Sequence, residues 1–422
     1  MDYQRFNLAN GIRVLLKPSD TVVSHACILI NAGARDEQPG YFGMAHFIEH
    51  LLFKKTEKRN TTQILNRLEL VGADLNAYTT KEYTCIHASF LQAHLSRVLD
   101  LFEDIIFHSV FPEAEMTKEK EVILDEIASY QDSPEDAIAD DFEDLIFRGH
   151  ALGHNILGSA DTLTAIKRHD VLDFIKSNYC SDQIVIAVTG KYELLKVKQL
   201  MERLFGDLPN TQGLKQRQSS FHYQSCSSRI FKPIAQAHVC MGNVAYNTYH
   251  PNKTGLLVLN NLLGGMGMSS RLNLQIREKY GIAYTIESNY VPYTDTGIFS
   301  IYFGTDDDKI EKAFKLVNKE LKKLREQRLG VMQTQQAKTK LIGQIALGEE
   351  NRMGILIAMA KNILDYDRVI DLDEVVLKIN ELTADKLLAI ANEVFDPQAI
   401  SSLYFMPEAD EAVELNKKNI YI

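Results

Sequence analysis

The sequence of 422 residues has few cysteines, only ten prolines and no long hydrophobic run. Its five cysteines are odd in number and widely spaced, and none forms a C-x-x-C pair, which argues against a disulfide scaffold or a cysteine-zinc site. No stretch of about 18 apolar residues occurs, which excludes a membrane-spanning helix. With 23 glycines and 45% hydrophobic residues, the composition is that of a globular chain rather than a fibrous or disordered one.

The charge balance is acidic, with 46 basic and 56 acidic residues and a net charge of −10. Such a surface repels phosphate backbones, so we expect no nucleic-acid partner. The first residues lack the basic, apolar and small-residue sections of a signal peptide. We therefore expect a cytoplasmic protein with reduced, mostly buried thiols and no membrane partner.

One segment differs in composition from the rest of the chain. Residues 211–229 are rich in Ser and Gln and show no apolar period, which predicts a linker. On both sides of it the order of predicted elements repeats: a strand, a helix, a strand pair and several long helices. We therefore predict an α+β chain of two structurally similar domains, 1–210 and 230–422, each an antiparallel or mixed sheet packed with long helices.

Apolar periodicity places the elements along the chain. Predicted helices cover 44–53, 61–72, 92–107, 113–131, 135–147, 161–178, 191–205, 251–265, 307–327, 331–348, 351–364 and 383–395. Predicted strands cover 13–17, 25–31, 75–80, 83–90, 183–188, 235–246, 285–293, 297–305 and 400–405.

The most specific signal is the pentad His46-Phe47-Ile48-Glu49-His50 in a predicted helix. Residues four apart share one helix face, about 6 Å apart along the axis, so both imidazoles can reach one metal ion. Apolar neighbours such as Met44 and Leu51 would anchor the opposite face in a core. A chain of this composition contains the pattern by chance only about 0.02 times, and the pattern is the inverted form of the zinc-protease motif.

Two histidines leave a catalytic zinc site incomplete, because such a site usually has three protein ligands. Glu119 and Glu126 lie seven residues apart in the predicted helix 113–131 and share a face, so either can supply the third ligand. The residues alone leave this choice open. Glu49, beside the second histidine, is expected to act as the general base that takes the proton of a zinc-activated water.

The segment 43–56, GMAHFIEHLLFKKT, resembles the zinc helix of the pitrilysin/insulinase family of metallopeptidases. As in that family, a distant glutamate follows the pentad: 75 residues lie between His50 and Glu126. The resemblance implies one Zn²⁺ per chain and a zinc-dependent endopeptidase. It further implies that the metal is bound by His46, His50 and Glu126, that Glu49 is the base, and that Glu119 supports the site.

Two further segments match the family. The segment 75–84 resembles an edge strand to which substrate peptides add, which implies substrate contacts at Asn76, Ala77 and Tyr78; an ordinary edge strand is the alternative. The segment 264–286 resembles the family's C-terminal motif, an Arg and a Tyr seven apart, here Arg277 and Tyr284. The resemblance implies a clamp that donates to the substrate carbonyl; a solvated charge and a core strand residue are the alternatives.

The length is that of the short two-domain members, which resemble the mitochondrial processing peptidase beta subunit and bacterial homologues. In these, one chain forms half of a clam-shell chamber. Because this chain has both the zinc pentad and the Arg–Tyr pair, we expect a homodimer that cleaves short unstructured peptides. The alternatives are the catalytic subunit of an obligate heterodimer with a sister chain, and a non-catalytic scaffold subunit.

Overall fold

The computed structural model describes residues 3–213, 217 and 221–408. The strands are β1 Gln4–Asn7, β2 Arg13–Pro18, β3 Val23–Ile30, β4 Asp74–Thr79, β5 Thr84–Leu91, β6 Ile184–Gly190, β7 Ser227–Lys232, β8 Ala237–Val244, β9 Ala283–Pro292, β10 Gly297–Thr305 and β11 Ser401–Pro407. The α-helices are α1 Met44–Leu52, α2 Thr61–Glu69, α3 Leu95–Phe107, α4 Glu113–Gln131, α5 Pro134–Ile146, α6 Ala160–Ala165, α7 Arg168–Asn178, α8 Leu194–Phe205, α9 Lys253–Gly264, α10 Ile310–Glu326, α11 Val331–Gly348, α12 Arg352–Tyr366, α13 Leu372–Asn380 and α14 Ala384–Val394.

The described residues group into two compact units. The first unit comprises Met1–Ser129, His154–Gln216 and Gly343–Val375, and the second comprises Tyr130–Gly153, Arg217–Ile342 and Val376–Ile422. The predicted domains, 1–210 and 230–422, follow chain order and stay a prediction. The compact units differ from them because each unit includes one segment from the other half of the chain.

The first unit is built on a six-stranded mixed sheet in the order β1-β2-β6-β3-β5-β4. Only β2 and β6 pair in parallel. One face packs against α1 and α3 through buried side chains such as Ile28, Ile86 and Phe47. Among the described strands, β4 forms the edge of this sheet, next to α1.

The second unit repeats this topology with five strands in the order β7-β11-β8-β10-β9. Its parallel pair, β7 and β11, corresponds to β2 and β6, and its other pairs are antiparallel. The predicted α+β class with two similar mixed-sheet domains is therefore confirmed.

The remaining face of each sheet is covered by a helix from the other half of the chain. In the first unit, α12 packs on β3 and β6, where Leu356 and Met359 join the buried Leu29. In the second unit, α5 packs on β8 and β11, where Phe142 joins Phe405. Because both contacts bury large apolar side chains, the compact units are interleaved along the sequence.

The described elements differ from the predicted ones at several places. The predicted helix 161–178 is two helices, because Ile166 leaves the helical region and the Asp170 carboxylate accepts the Lys167 N–H at 2.8 Å to begin α7. The predicted linker contains the start of β7, which forms by pairing with the distant β11. The strand β1 and the helix α13 were not predicted. None of the described helices combines the length and hydropathy that crossing a membrane requires.

Candidate metal centre

The helix α1 is held by its apolar face. Phe47 and Ile48 are fully buried in the core of the first unit, which is the face that the sequence pattern assigned to the core. His46, Glu49 and His50 share the other side of the helix, as their spacing predicted. His46 is itself 92% buried, whereas His50 is half-buried and Glu126 is exposed.

Three side chains from α1 and α4 converge on one point. Glu126 Oε2 lies 3.8 Å from His46 Nε2 and 3.7 Å from His50 Nε2. One nitrogen or oxygen of each residue lies within 4.8 Å of those of the other two. These separations would allow the three residues to hold a zinc ion, whose bonds to such ligands are about 2.0–2.2 Å long.

His46 has the charge state that a metal ligand requires. Burial, and then the neighbouring His50, lower the pKa of His46 to about 4, which keeps its imidazole neutral. Its buried Nδ1 has no hydrogen-bond partner in the described part of the chain, whereas Nε2 faces Glu126. A neutral imidazole with Nε2 free to ligate is the form that binds zinc, so the residues present fit this ion.

The two candidate glutamates occupy different positions around His50. Glu126 approaches Nε2, whereas Glu119 Oε2 lies 3.1 Å from Nδ1 on the far side of the ring. Glu119 is buried and its other oxygen is 2.6 Å from Lys54 Nζ. A carboxylate on the second nitrogen fixes the orientation of a ligating imidazole, which is the arrangement expected of a supporting residue.

The predicted base, Glu49, has a hydrogen-bond partner that the sequence did not reveal. Thr79 Oγ1, at the end of β4, donates to Glu49 Oε2 at 2.6 Å. Burial raises the pKa of Glu49, and the hydrogen bond from Thr79 partly opposes that effect. Strand alternation, which places Ala77 and Thr79 on one face, was the available signal.

We expect Thr79→Val to lower kcat about tenfold, because the valine keeps the shape of the side chain but removes the donor that orients the predicted base, Glu49. Thr79→Ser, which keeps the hydroxyl, is the matched control and should stay close to wild type. Steady-state peptide hydrolysis by both variants tests this. An equal loss of kcat in the two variants would show that the hydroxyl of Thr79 does not support catalysis.

A groove adjoins the metal centre along β4. It has a volume of ≈ 370 Å³. Its lining includes Glu49, His50, Phe53, Leu65, Leu75, Asn76 and Ala77. The Tyr78 side chain instead lies on the opposite face, where it packs with the core beneath α12 and contacts Tyr83. Of the three predicted contact residues, two therefore line the groove, and Tyr78 offers only its backbone at this edge.

The predicted Arg–Tyr pair lies in the second unit. Arg277 is exposed in a π-helical turn, Asn273–Glu278, and lines a cavity of ≈ 610 Å³ beside the glycine-rich segment 264–268. Tyr284 is exposed at the start of β9, and its hydroxyl donates to Asp306 at 3.0 Å. That hydrogen bond raises the pKa of Tyr284, which keeps the phenol protonated as a donor.

Comparison with known proteins places the chain among peptidases. Residues 13–160 match the family model described as insulinase (peptidase family M16), and residues 165–341 match the one described as peptidase M16 inactive domain. An "uncharacterized zinc protease" of Bacillus subtilis is 32% identical over 93% of this chain and 95% of its own length. Another of the same description, from Rickettsia bellii, is 33% identical over 94% of this chain and 96% of its own.

The fold has close counterparts among solved structures. A protease from Helicobacter pylori superimposes with a TM-score of 0.89 over 96% of this chain and 99% of that one, at 22% identity. At this identity the likeness concerns the fold.

Proposed function

The chain belongs to the insulinase family of peptidases, family M16, and from this premise we propose that it is a zinc-dependent endopeptidase acting on short unstructured peptides. The observation that carries the proposal is the convergence of His46, His50 and Glu126 on one point, with Glu49 beside them. One Zn²⁺ per chain would be held by these three ligands.

When bound, zinc supplies a Lewis acid that polarises a peptide carbonyl and makes a coordinated water more acidic. Glu49 accepts the proton of the attacking water and then passes it to the departing amine nitrogen. Its raised pKa makes its carboxylate a stronger proton acceptor, and Thr79 holds it in place. Glu119 keeps the His50 ring oriented through Nδ1.

The edge strand β4 supports an extended substrate. An edge strand offers unpaired N–H and C=O groups to which a peptide adds as a further strand. Asn76 and Ala77 lie where that strand borders the groove, so substrate side chains can enter it beside the catalytic residues. Only an unfolded segment can pair in this way, which is why we propose unstructured peptides as substrates.

The description "inactive domain" agrees with different roles for the two halves of the chain. All four proposed catalytic and metal-binding residues lie in 13–160, and residues 165–341 contain no second H-x-x-E-H pentad. We propose that the second half contributes Arg277 and Tyr284 as hydrogen-bond donors to the substrate carbonyl. The cytoplasmic location expected from the sequence stays a prediction.

The function is tested by offering the purified, zinc-loaded protein two substrates. We expect it to cleave an unstructured peptide of roughly 15–20 residues and to leave a stably folded protein intact, because only the peptide can add to an edge strand. Mass spectrometry of the products measures both. Equal cleavage of the two would contradict the substrate class.

We further propose that two copies of the chain form a chamber in which the metal centre of one copy works with Arg277 and Tyr284 of the other. The support is the presence of both motifs in one chain of this length. The alternatives to this homodimer are a heterodimer with a sister chain and a non-catalytic scaffold role. They predict that the purified chain alone has no peptidase activity.

Mixing two inactive variants tests this pairing. Glu49→Gln chains lack the base, and Arg277→Ala chains lack the donor. Hybrid dimers contain one site with both groups, so activity should reappear after subunit exchange. Neither variant should recover when incubated alone. If exchange is verified by differently tagged chains and no activity returns, the site is not shared between copies.

A further inference from the structure

Residues 154–162 of the first unit contact the start of α1 at several points, and none of these residues has a role in the chemistry above. We propose that Glu37 and His154 are positioning residues that fix the N-terminal turn of α1 and thereby set the zinc affinity of the metal centre. This inference rests on the proposed zinc site.

Glu37 caps α1 from outside the helix. Its side chain is fully buried, and its two carboxylate oxygens accept the backbone N–H groups of Gly43 at 2.9 Å and of Ala45 at 2.8 Å. The first N–H groups of a helix have no partner within it, and Gly43 has no side chain with which to cap them. A carboxylate here also interacts favourably with the positive end of the helix dipole.

His154 provides the third partner of this carboxylate. Its Nε2 lies 3.1 Å from Glu37 Oε2 and 3.0 Å from the Ala34 carbonyl oxygen. Because a carbonyl oxygen only accepts, Nε2 carries the hydrogen and donates to both oxygens. Burial raises the pKa of Glu37, whereas the hydrogen bond from His154 lowers it. Removal of His154 would therefore leave a buried carboxylate short of a donor.

The segment 154–162 also packs against Phe42, in the chain that leads into α1. The His154 ring stacks on Phe42, with ring centroids 3.9 Å apart and planes 15° from parallel. Gly158 passes so close that a Cβ there would lie 2.1 Å from the Phe42 carbonyl oxygen. Thr162 Oγ1 donates to that same oxygen at 2.8 Å. The chain that leads into α1 is thus fixed by packing and by hydrogen bonds.

These contacts around the start of α1 affect one proposed zinc ligand more than the others. Ala45, which Glu37 caps, directly precedes His46 in the first turn of α1. His50 lies one turn later and has its own contact with Glu119. Loss of the cap would therefore loosen His46 first. Changes to groups that orient metal ligands typically weaken metal binding about 10- to 100-fold.

The test measures the zinc affinity of the full chain by competition with a chromophoric chelator, so it does not depend on peptidase activity. His154→Phe keeps a ring against Phe42 but removes the donor. His154→Gln restores a donor, and Glu37→Gln removes the carboxylate charge. Asp104→Asn is the matched control: Asp104 is a fully buried carboxylate of the same unit that is hydrogen-bonded to Thr56 and paired with Arg59.

We expect His154→Phe and Glu37→Gln to weaken zinc binding about tenfold or more, and His154→Gln to stay within about threefold of wild type. Asp104→Asn should lower the melting temperature without changing zinc affinity. The inference is wrong if all variants bind zinc as wild type does, or if His154→Gln loses as much affinity as His154→Phe. If His154→Phe does not fold, the Gln variants decide the outcome. A wild-type chain that binds no zinc would instead contradict the proposed metal centre itself.

Discussion

Replacing Glu49 with Gln is expected to abolish peptide hydrolysis while leaving zinc bound. Glutamine has the same shape and can still accept the hydrogen bond from Thr79, but it cannot take a proton from water. Loss of a general base typically lowers kcat about 10²- to 10⁴-fold. Because His46, His50 and Glu126 are unchanged, the zinc content should remain one ion per chain.

Single-turnover hydrolysis and metal analysis of the same preparation separate these two effects. Glu57→Gln is the matched control, since Glu57 is an exposed glutamate in the segment after α1 and should change neither quantity. Activity of Glu49→Gln within a few-fold of wild type would mean that another group is the base. Loss of zinc from this variant would mean that Glu49 belongs to the ligand set.

The second large effect is expected from Glu126→Ala, which should remove zinc binding and activity together. Glu126 is the only carboxylate of the metal group, and it faces Nε2 of both histidines. Glu119→Ala should have a smaller effect, about 10- to 100-fold in zinc affinity, because Glu119 orients the His50 ring through Nδ1. The two variants therefore distinguish a ligand from a supporting residue.

Chelator competition on both variants measures this difference. Glu121→Gln is the control, because Glu121 is an exposed residue on another face of the same helix. Circular dichroism would confirm that each variant retains its helices. The reverse order, with zinc lost from Glu119→Ala and retained by Glu126→Ala, would overturn the assignment of the third ligand.

Sequence periodicity predicted much of the site because its strongest determinants are local. The i, i+4 spacing of His46 and His50 is a property of one helix, and so is the apolar stripe that buries it. Periodicity alone left Glu119 and Glu126 equivalent because both lie on one face of α4, and the resemblance to the pitrilysin/insulinase family favoured Glu126. The structure supports the same proposal, because Glu126 approaches Nε2 of His50 whereas Glu119 approaches Nδ1.

The features that were missed depend on contacts between distant segments. Glu37 and His154 are 117 positions apart, and neither lies in a motif with a known spacing. The strand β7 has a polar start typical of a linker and forms by pairing with β11 near the end of the chain. Similarly, α5 and α12 were predicted as helices, but periodicity does not say which sheet each one covers.

The central claim is that this chain is a zinc peptidase. It is tested most directly by following cleavage of a quenched, unstructured peptide by the purified protein as isolated, after chelation, and after zinc is returned. We predict that activity is lost on chelation and restored by zinc, without any partner chain. Activity that survives complete removal of the metal, or no activity in a protein shown to contain zinc, would contradict the claim.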